Sequence, residues 1–106
     1  MPLEIVCYLC QQSAEKILKA YILAKEGPLV KTHDLYALIE QCRNYDQQFT
    51  QILNKGNELT DYEALTRYPA YDAITEDDMH QALADAKDIL EFTQTKLQSR
   101  CLGQLE

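Results

Sequence analysis

Gln12, Glu15, Lys16 and Lys19 stand three and four residues apart, so on a helix they share one face. An amide and two ammonium groups on one face can receive an anion, although the same row also suits a plain solvated surface. Two further places could complete an anion site. His33 opens a second helical pattern, where free backbone N–H groups and the helix dipole favour negative charge. A packing or capping histidine is the alternative there. Arg67, followed by Tyr68, stands at a helix exit, and its planar guanidinium can clamp a phosphate through two parallel bonds. Pairing with the acids of the last helix, or bonding to the last carbonyls of its own, would employ it equally well. The candidate ligand-binding residues are therefore Gln12, Lys16, Lys19, His33, Arg67 and Tyr68.

Other chemistry finds little support. The chain has no Gly-rich phosphate loop, no His-Glu-x-x-His pair and no Gly-x-Ser-x-Gly elbow, so no catalytic residue is assigned. His80 reads as a surface residue. Cys7 and Cys10 have metal-like spacing, but a zinc site would need Cys42 and Cys101 to converge on them. Buried, reduced thiols are the simpler reading. The acids Asp77, Asp78, Asp85, Asp88 and Glu91 have the spread of a solvated helix face. No metal and no cofactor is expected.

Four helical patterns must position these groups. In the first, over about 4–25, Cys10, Ala14, Ile17, Leu18, Tyr21 and Ala24 form an apolar stripe, widened by Ile5, Val6, Leu9, Ile22 and Leu23. Gly27-Pro28 stops it, with Gly27 as the left-handed cap. Thr32 is the expected N-cap of the second helix, which carries Leu35, Leu38, Ile39 and Cys42 and ends near Asn44. A third region starts near Asp46 with Phe49, Ile52 and Leu53, and is expected to kink or break at Gly56. Thr60 and Glu63 then form a capping-box pattern before Leu65, and Arg67-Tyr68-Pro69-Ala70-Tyr71 closes the region. Thr75 caps the last helix, whose stripe runs through Met79, Ala82, Leu83, Ala86, Ile89, Leu90, Thr93 and Leu97. Truncating Leu83 or Leu90 to Ala on that stripe should cost roughly 2–5 kcal/mol. Fraying is expected after Ser99. The pattern predicts an all-α antiparallel bundle of four to five helices with short connections.

Bulk properties set the outer limits. The 106 residues suit one domain, 1–106, with an ordered core over about 4–99. There is no 18-residue apolar run and no signal-peptide layout, so the expectation is a cytoplasmic protein without a membrane span. The net charge is −7, and residues 56–106 hold all of it: six Lys/Arg balance six acids before residue 56, and four face eleven after it. An acidic chain is a poor general nucleic-acid binder, so no DNA binding is expected. Any nucleotide or RNA contact must use a local basic patch in the first half.

Tyr8-Leu9-Cys10-Gln11-Gln12-Ser13-Ala14-Glu15-Lys16-Ile17-Leu18-Lys19-Ala20, then Lys31-Thr32-His33-Asp34-Leu35, then Arg67-Tyr68-Pro69 resemble the HEPN (higher eukaryotes and prokaryotes nucleotide-binding) domain. The last helix resembles that family's closing helix. The resemblance implies a small antiparallel helical bundle, usually a homodimer. It often accompanies a minimal nucleotidyltransferase in prokaryotic toxin–antitoxin or defence pairs. Some members are metal-independent endoribonucleases with an Arg followed four to six residues later by a His, and no His stands so after Arg43, Arg67 or Arg100. A further helix usually precedes the Gln-Gln-x-x-Glu-Lys segment. Only nine residues precede Cys10, so that helix is expected to be missing or shortened, leaving apolar surface for a second copy or a partner to cover. Three readings follow: a non-catalytic nucleotide- or RNA-binding module, a structural or dimerisation domain, and a ribonuclease with a rearranged Arg67/His33 site.

Overall fold

Helix α1, Leu3–Ala24, is the spine on which the other elements pack. The computed structural model of the chain describes residues 2–28, 30–62 and 74–105, with side chains described as far as residue 98. After α1 come α2 (Leu35–Arg43), a 3-10 segment (Gln47–Ile52), α3 (Leu53–Thr60) and α4 (Glu76–Leu105). The described residues form no strand, and none of their helices is long and apolar enough to cross a membrane. The expected all-α helical bundle is what forms.

Periodicity explains the core. On α1, Cys7, Cys10, Ala14, Leu18, Tyr21 and Ile22 are buried, at helical steps of three and four. Ile5, Leu9 and Leu23, which widen the stripe in the sequence, stay exposed. Leu35, Leu38, Ile39 and Cys42 bury the inner face of α2 as expected. At one end an aromatic column joins three elements, with Phe49 packed 4.6 Å from the Tyr21 ring and 5.0 Å from the Phe92 ring. Edge-on and tilted pairs of this kind are favoured by the ring quadrupoles.

Contacts between elements fix their directions. Gln11 reaches His33 and the Cys42 thiol reaches the Leu18 carbonyl, so α2 runs in the sense of α1. Gly56 lies against Ile39 and Thr60 against Leu35, so α3 runs back along α2. Lys55 pairs with Asp88 and Glu58 bonds Asp85, so α4 opposes α3 and follows α1. Antiparallel packing therefore holds for α3 against α2 and α4, while α1 and α4 are co-directional. The connector after α1 makes this feasible. Its ten residues, 25–34, can span about 33 Å, against about 21 Å of helix to be retraced from Lys25 to Gln11. Pro28 and Val30 lie along Lys19, Ile22 and Leu23 on that return path.

Local chemistry departs from the sequence expectation at four ends. Glu26, not Gly27, takes the left-handed conformation after α1, with φ 60°. The Glu26 and Gly27 amides donate to the Leu23 and Ile22 carbonyls at 2.9 Å, the paired bonds of a Schellman ending. Gly27 is needed for space instead, since a Cβ there would stand 2.4 Å from Tyr45 Oη. Asp34, not Thr32, caps α2 by accepting from the Tyr36 and Ala37 amides. Thr32 accepts from the Asp34 amide one step earlier. Thr60 ends α3 and accepts from the Leu35 amide at 2.8 Å, so its hydroxyl serves the start of α2. Gly56 does not break α3; a Cβ there would meet Ile39 Cδ1 at 2.4 Å, so the glycine lets two helices touch. The break lies at Ile52–Leu53, where the 3-10 turns give way to α-helix. At α4 the expected cap forms, Thr75 and Asp78 bonding each other's amides.

Candidate functional site

Gln11 and Glu15 fall at core positions of α1, one turn apart, and both are buried. A buried amide and carboxylate require partners. The returning connector supplies them. Gln11 Nε2 donates to the His33 carbonyl at 3.0 Å, which ties the connector backbone to the helix. That bond sets the imidazole beside Glu15, with His33 Nδ1 2.9 Å from Oε1. Lys19, one turn further along α1, places its ammonium 3.0 Å from Glu15 Oε2. Gln12 Nε2 donates to Gln11 Oε1 at 2.7 Å and completes the chain of polar contacts.

Glu15 is the centre of this arrangement. Burial alone would raise its carboxyl, but hydrogen bonds from His33, Lys19 and Gln11, with the charge of Lys19, outweigh it and hold the group below its ordinary value. Glu15 is thus an ionised acceptor at neutral pH, and His33 Nδ1–H is the donor to it. In the neutral ring the lone pair then sits on Nε2. The His33 side chain is 51% exposed, and among the described residues Nε2 has no partner. A buried carboxylate holding one imidazole nitrogen fixes the ring and leaves the other nitrogen to accept a proton or meet an anion. The histidine does not use the dipole of α2 as the sequence suggests, because Asp34 occupies that cap.

The sequence-derived candidates separate. Lys19 and His33 meet through Glu15, and Gln12 joins them by way of Gln11. Lys16 on α1 and Lys31 on the connector are exposed and have no carboxylate partner among the described residues. Arg67 and Tyr68 lie outside the described residues. Other basic groups are engaged elsewhere: Arg43 with Glu40, Lys55 with Asp88, Lys96 with Asp46, and Lys25 over the Tyr21 ring. Gln11 and the central role of Glu15 were missed. The available signal was that Cys7, Gln11, Ala14 and Leu18 share one core ridge, so a polar residue there must be partnered internally.

A second polar group lies between α3 and α4. Asp85, expected on a solvated face, is 2% exposed. It accepts from Gln81 Nε2 at 3.0 Å and shares a hydrogen bond with Glu58. Burial first, then the neighbouring Glu58 carboxylate, push its carboxyl up to about 6. The thiols of Cys7, Cys10 and Cys42 are buried and inert by comparison. Burial raises Cys7 to about 11 and Cys42 to about 12, and Cys10 also rises. Among the described residues no three His, Cys, Asp or Glu side chains gather as metal ligands.

No curated protein and no solved structure matches this sequence. The sequence profile of the HEPN domain does, over residues 2–97, which takes in α1, the tethered Lys31–Asp34 connector and nearly all the described side chains of α4. With a helical bundle whose first helix and returning connector are joined through the Gln-Gln-x-x-Glu-Lys segment, the chain belongs to the HEPN domain family.

Proposed function

We propose that this chain is a nucleotide- or RNA-binding HEPN module without chemistry of its own. The observation that supports it best is His33, fixed by the buried Glu15 through Nδ1 and half-exposed at its other edge. Lys16 and Lys31, within a few residues of that pair and without a carboxylate partner among the described residues, supply positive charge, and Lys19 keeps two ammonium hydrogens beyond its bond to Glu15. Phosphate groups suit such a set, since they accept several charge-assisted bonds at once. In a chain of net charge −7 this restricts anion binding to one side of α1. Gln12, Arg67 and Tyr68 complete the candidate set. Titration of the labelled protein with ATP, GTP and a short single-stranded RNA tests the reading. Shifts centred on Lys16, Lys31 and His33, with binding that weakens as salt rises, are expected. Absence of shifts at these residues at millimolar nucleotide overturns it.

The family setting extends the proposal to a protein partner, a minimal nucleotidyltransferase in a prokaryotic toxin–antitoxin or defence pair. Co-expression with the protein encoded beside it and co-purification is the test. The Glu15–His33 pair also favours a second reading, a ribonuclease in which His33 Nε2 takes the proton of a ribose 2′-hydroxyl and Arg67 stabilises the phosphorane charge. Cleavage that survives in both His33→Ala and Arg67→Ala would dismiss it.

A further inference from the structure

The His33 ring is held at two points. Gln11 Nε2 donates to the His33 carbonyl at 3.0 Å, and Nδ1 donates to Glu15 Oε1 at 2.9 Å. Nε2 keeps its lone pair, and no group bonds it among the described residues. The ring faces solvent while the carboxylate behind it is only 7% exposed. A fixed, accessible imidazole nitrogen backed by a buried carboxylate is arranged as a nucleophile. Three amides at the start of α2 are closed to an incoming anion, since Asp34 and Thr60 occupy them. Positive charge comes from side chains instead. Lys19 holds the other oxygen of Glu15 at 3.0 Å, Lys16 follows Glu15 in the chain, and Lys31 stands two residues before His33. His80, the other histidine, is exposed on α4 and has no such carboxylate behind it among the described residues.

We propose that His33 Nε2 is a phosphoryl-acceptor site, modified by donors whose phosphate is joined to a good leaving group, a phosphoramidate or an acyl phosphate. The inference rests on the reading of this edge as one open to phosphate groups, and adds a covalent bond that nucleotide binding does not require. In the step, the Nε2 lone pair attacks phosphorus and the N–P bond forms. The donor's bond from phosphorus to nitrogen or acyl oxygen breaks, and that atom leaves with the electron pair as ammonia or a carboxylate. Nothing is oxidised or reduced. The ring keeps its Nδ1 proton throughout, so it becomes positively charged as the new bond forms. The Glu15 carboxylate, 2.9 Å away and ionised at neutral pH, offsets that charge. A histidine standing alone in water has no such counter-ion. The product carries an anionic phosphoryl group beside Lys16 and Lys31, which can meet it with charge-assisted bonds. An occupied Nε2 repels a nucleotide phosphate from the same edge, so modification switches binding off.

Labelling the full chain with potassium phosphoramidate at neutral pH tests it, with His80 as the internal standard. Peptide mass spectrometry follows phosphate on each histidine, and nitrogen NMR identifies the bonded ring atom. His33 should be modified at Nε2 about tenfold faster than His80, or more. Glu15→Gln should remove most of that advantage, with circular dichroism confirming that the variant is folded. A double variant, Lys16→Gln with Lys31→Gln, leaves both tethers of the ring in place and changes only exposed side chains. It should slow His33 several-fold and leave His80 unchanged, and it serves as the test if Glu15→Gln unfolds. Equal rates at the two histidines of the wild type overturn the proposal. So does phosphate on Nδ1, an advantage that survives Glu15→Gln in folded protein, or an unchanged His33 rate in the double variant. Nucleotide shifts at His33 without preferential labelling overturn this inference and leave the nucleotide-binding reading standing. Preferential labelling without nucleotide shifts supports the acceptor site and removes the nucleotide.

Discussion

Glu15 and Asp85 are both acids at core-facing helix positions, and their neighbours push them in opposite directions. Glu15 is met by an ammonium, an imidazole and an amide, so its ionised form is the stabilised one. Its stabilisation is present above the ordinary glutamate range and is lost as pH falls through its depressed folded value. Glu15→Gln keeps the shape but removes the charge and one of the two accepting oxygens, so Lys19 and His33 lose their anion and one of them faces an NH2 donor. A loss of about 1–3 kcal/mol is expected in urea unfolding at pH 7, with the His33 ring resonances averaging toward those of a free side chain. Asp85 is met by burial and another carboxylate, so its neutral form is the stabilised one. Its folded value, about 6, lies above the ordinary 3.8. Between those two pH values the native chain holds a proton that the unfolded chain has released, so stability from this group falls as pH rises and levels off above about 6. Asp85→Asn keeps a hydrogen-bonding group between Gln81 and Glu58 without the charge. It should be more stable than wild type above pH 6, by up to ~3 kcal/mol, and similar to it near pH 4, as read from urea midpoints across that range.

At the scale of elements, what the sequence revealed and what it hid follow from the range of the forces involved. Helix positions and the inner stripes of α1 and α2 were legible because period 3.6 patterning is local. The ends were less so, because several side chains compete for each free amide. Thr32, Asp34 and Thr60 all stand near the start of α2, and only the fold shows that Asp34 caps it while Thr60 reaches across from α3. The Glu15–His33 pair was half legible: both residues stood out, but their meeting depends on a ten-residue connector doubling back, which no spacing rule encodes. Leu83 misled because it is 45% exposed, with no element packed over that side of the α4 stripe among the described residues. The α1 ending yields a prediction of its own. Glu26 has a Cβ in the left-handed region, where non-glycine residues carry a cost of roughly 1–2 kcal/mol. Glu26→Gly relieves that cost but adds freedom to the unfolded chain, so a net gain of about 0.5–1 kcal/mol is expected in thermal or urea unfolding. Gly27→Ala should do the reverse, because its Cβ would collide with Tyr45 and Ile22.

For the whole molecule, the question is how unevenly stability is distributed around α1. A domain of this size has roughly 5–15 kcal/mol in total, so one core leucine can carry a large share. Leu18 is fully buried in the central stripe, whereas Leu83, also on a helix stripe, is nearly half in solvent. The two truncations should therefore separate. Leu18→Ala should cost roughly 2–5 kcal/mol at any protein concentration, since it opens a cavity inside one chain. Leu83→Ala should cost well under about 1 kcal/mol in dilute protein, where most of the removed surface was already wet. Melting curves of wild type, Leu18→Ala and Leu83→Ala in dilute protein read the difference. A Leu83→Ala penalty as large as that of Leu18→Ala would mean that α4 buries this face within the single chain.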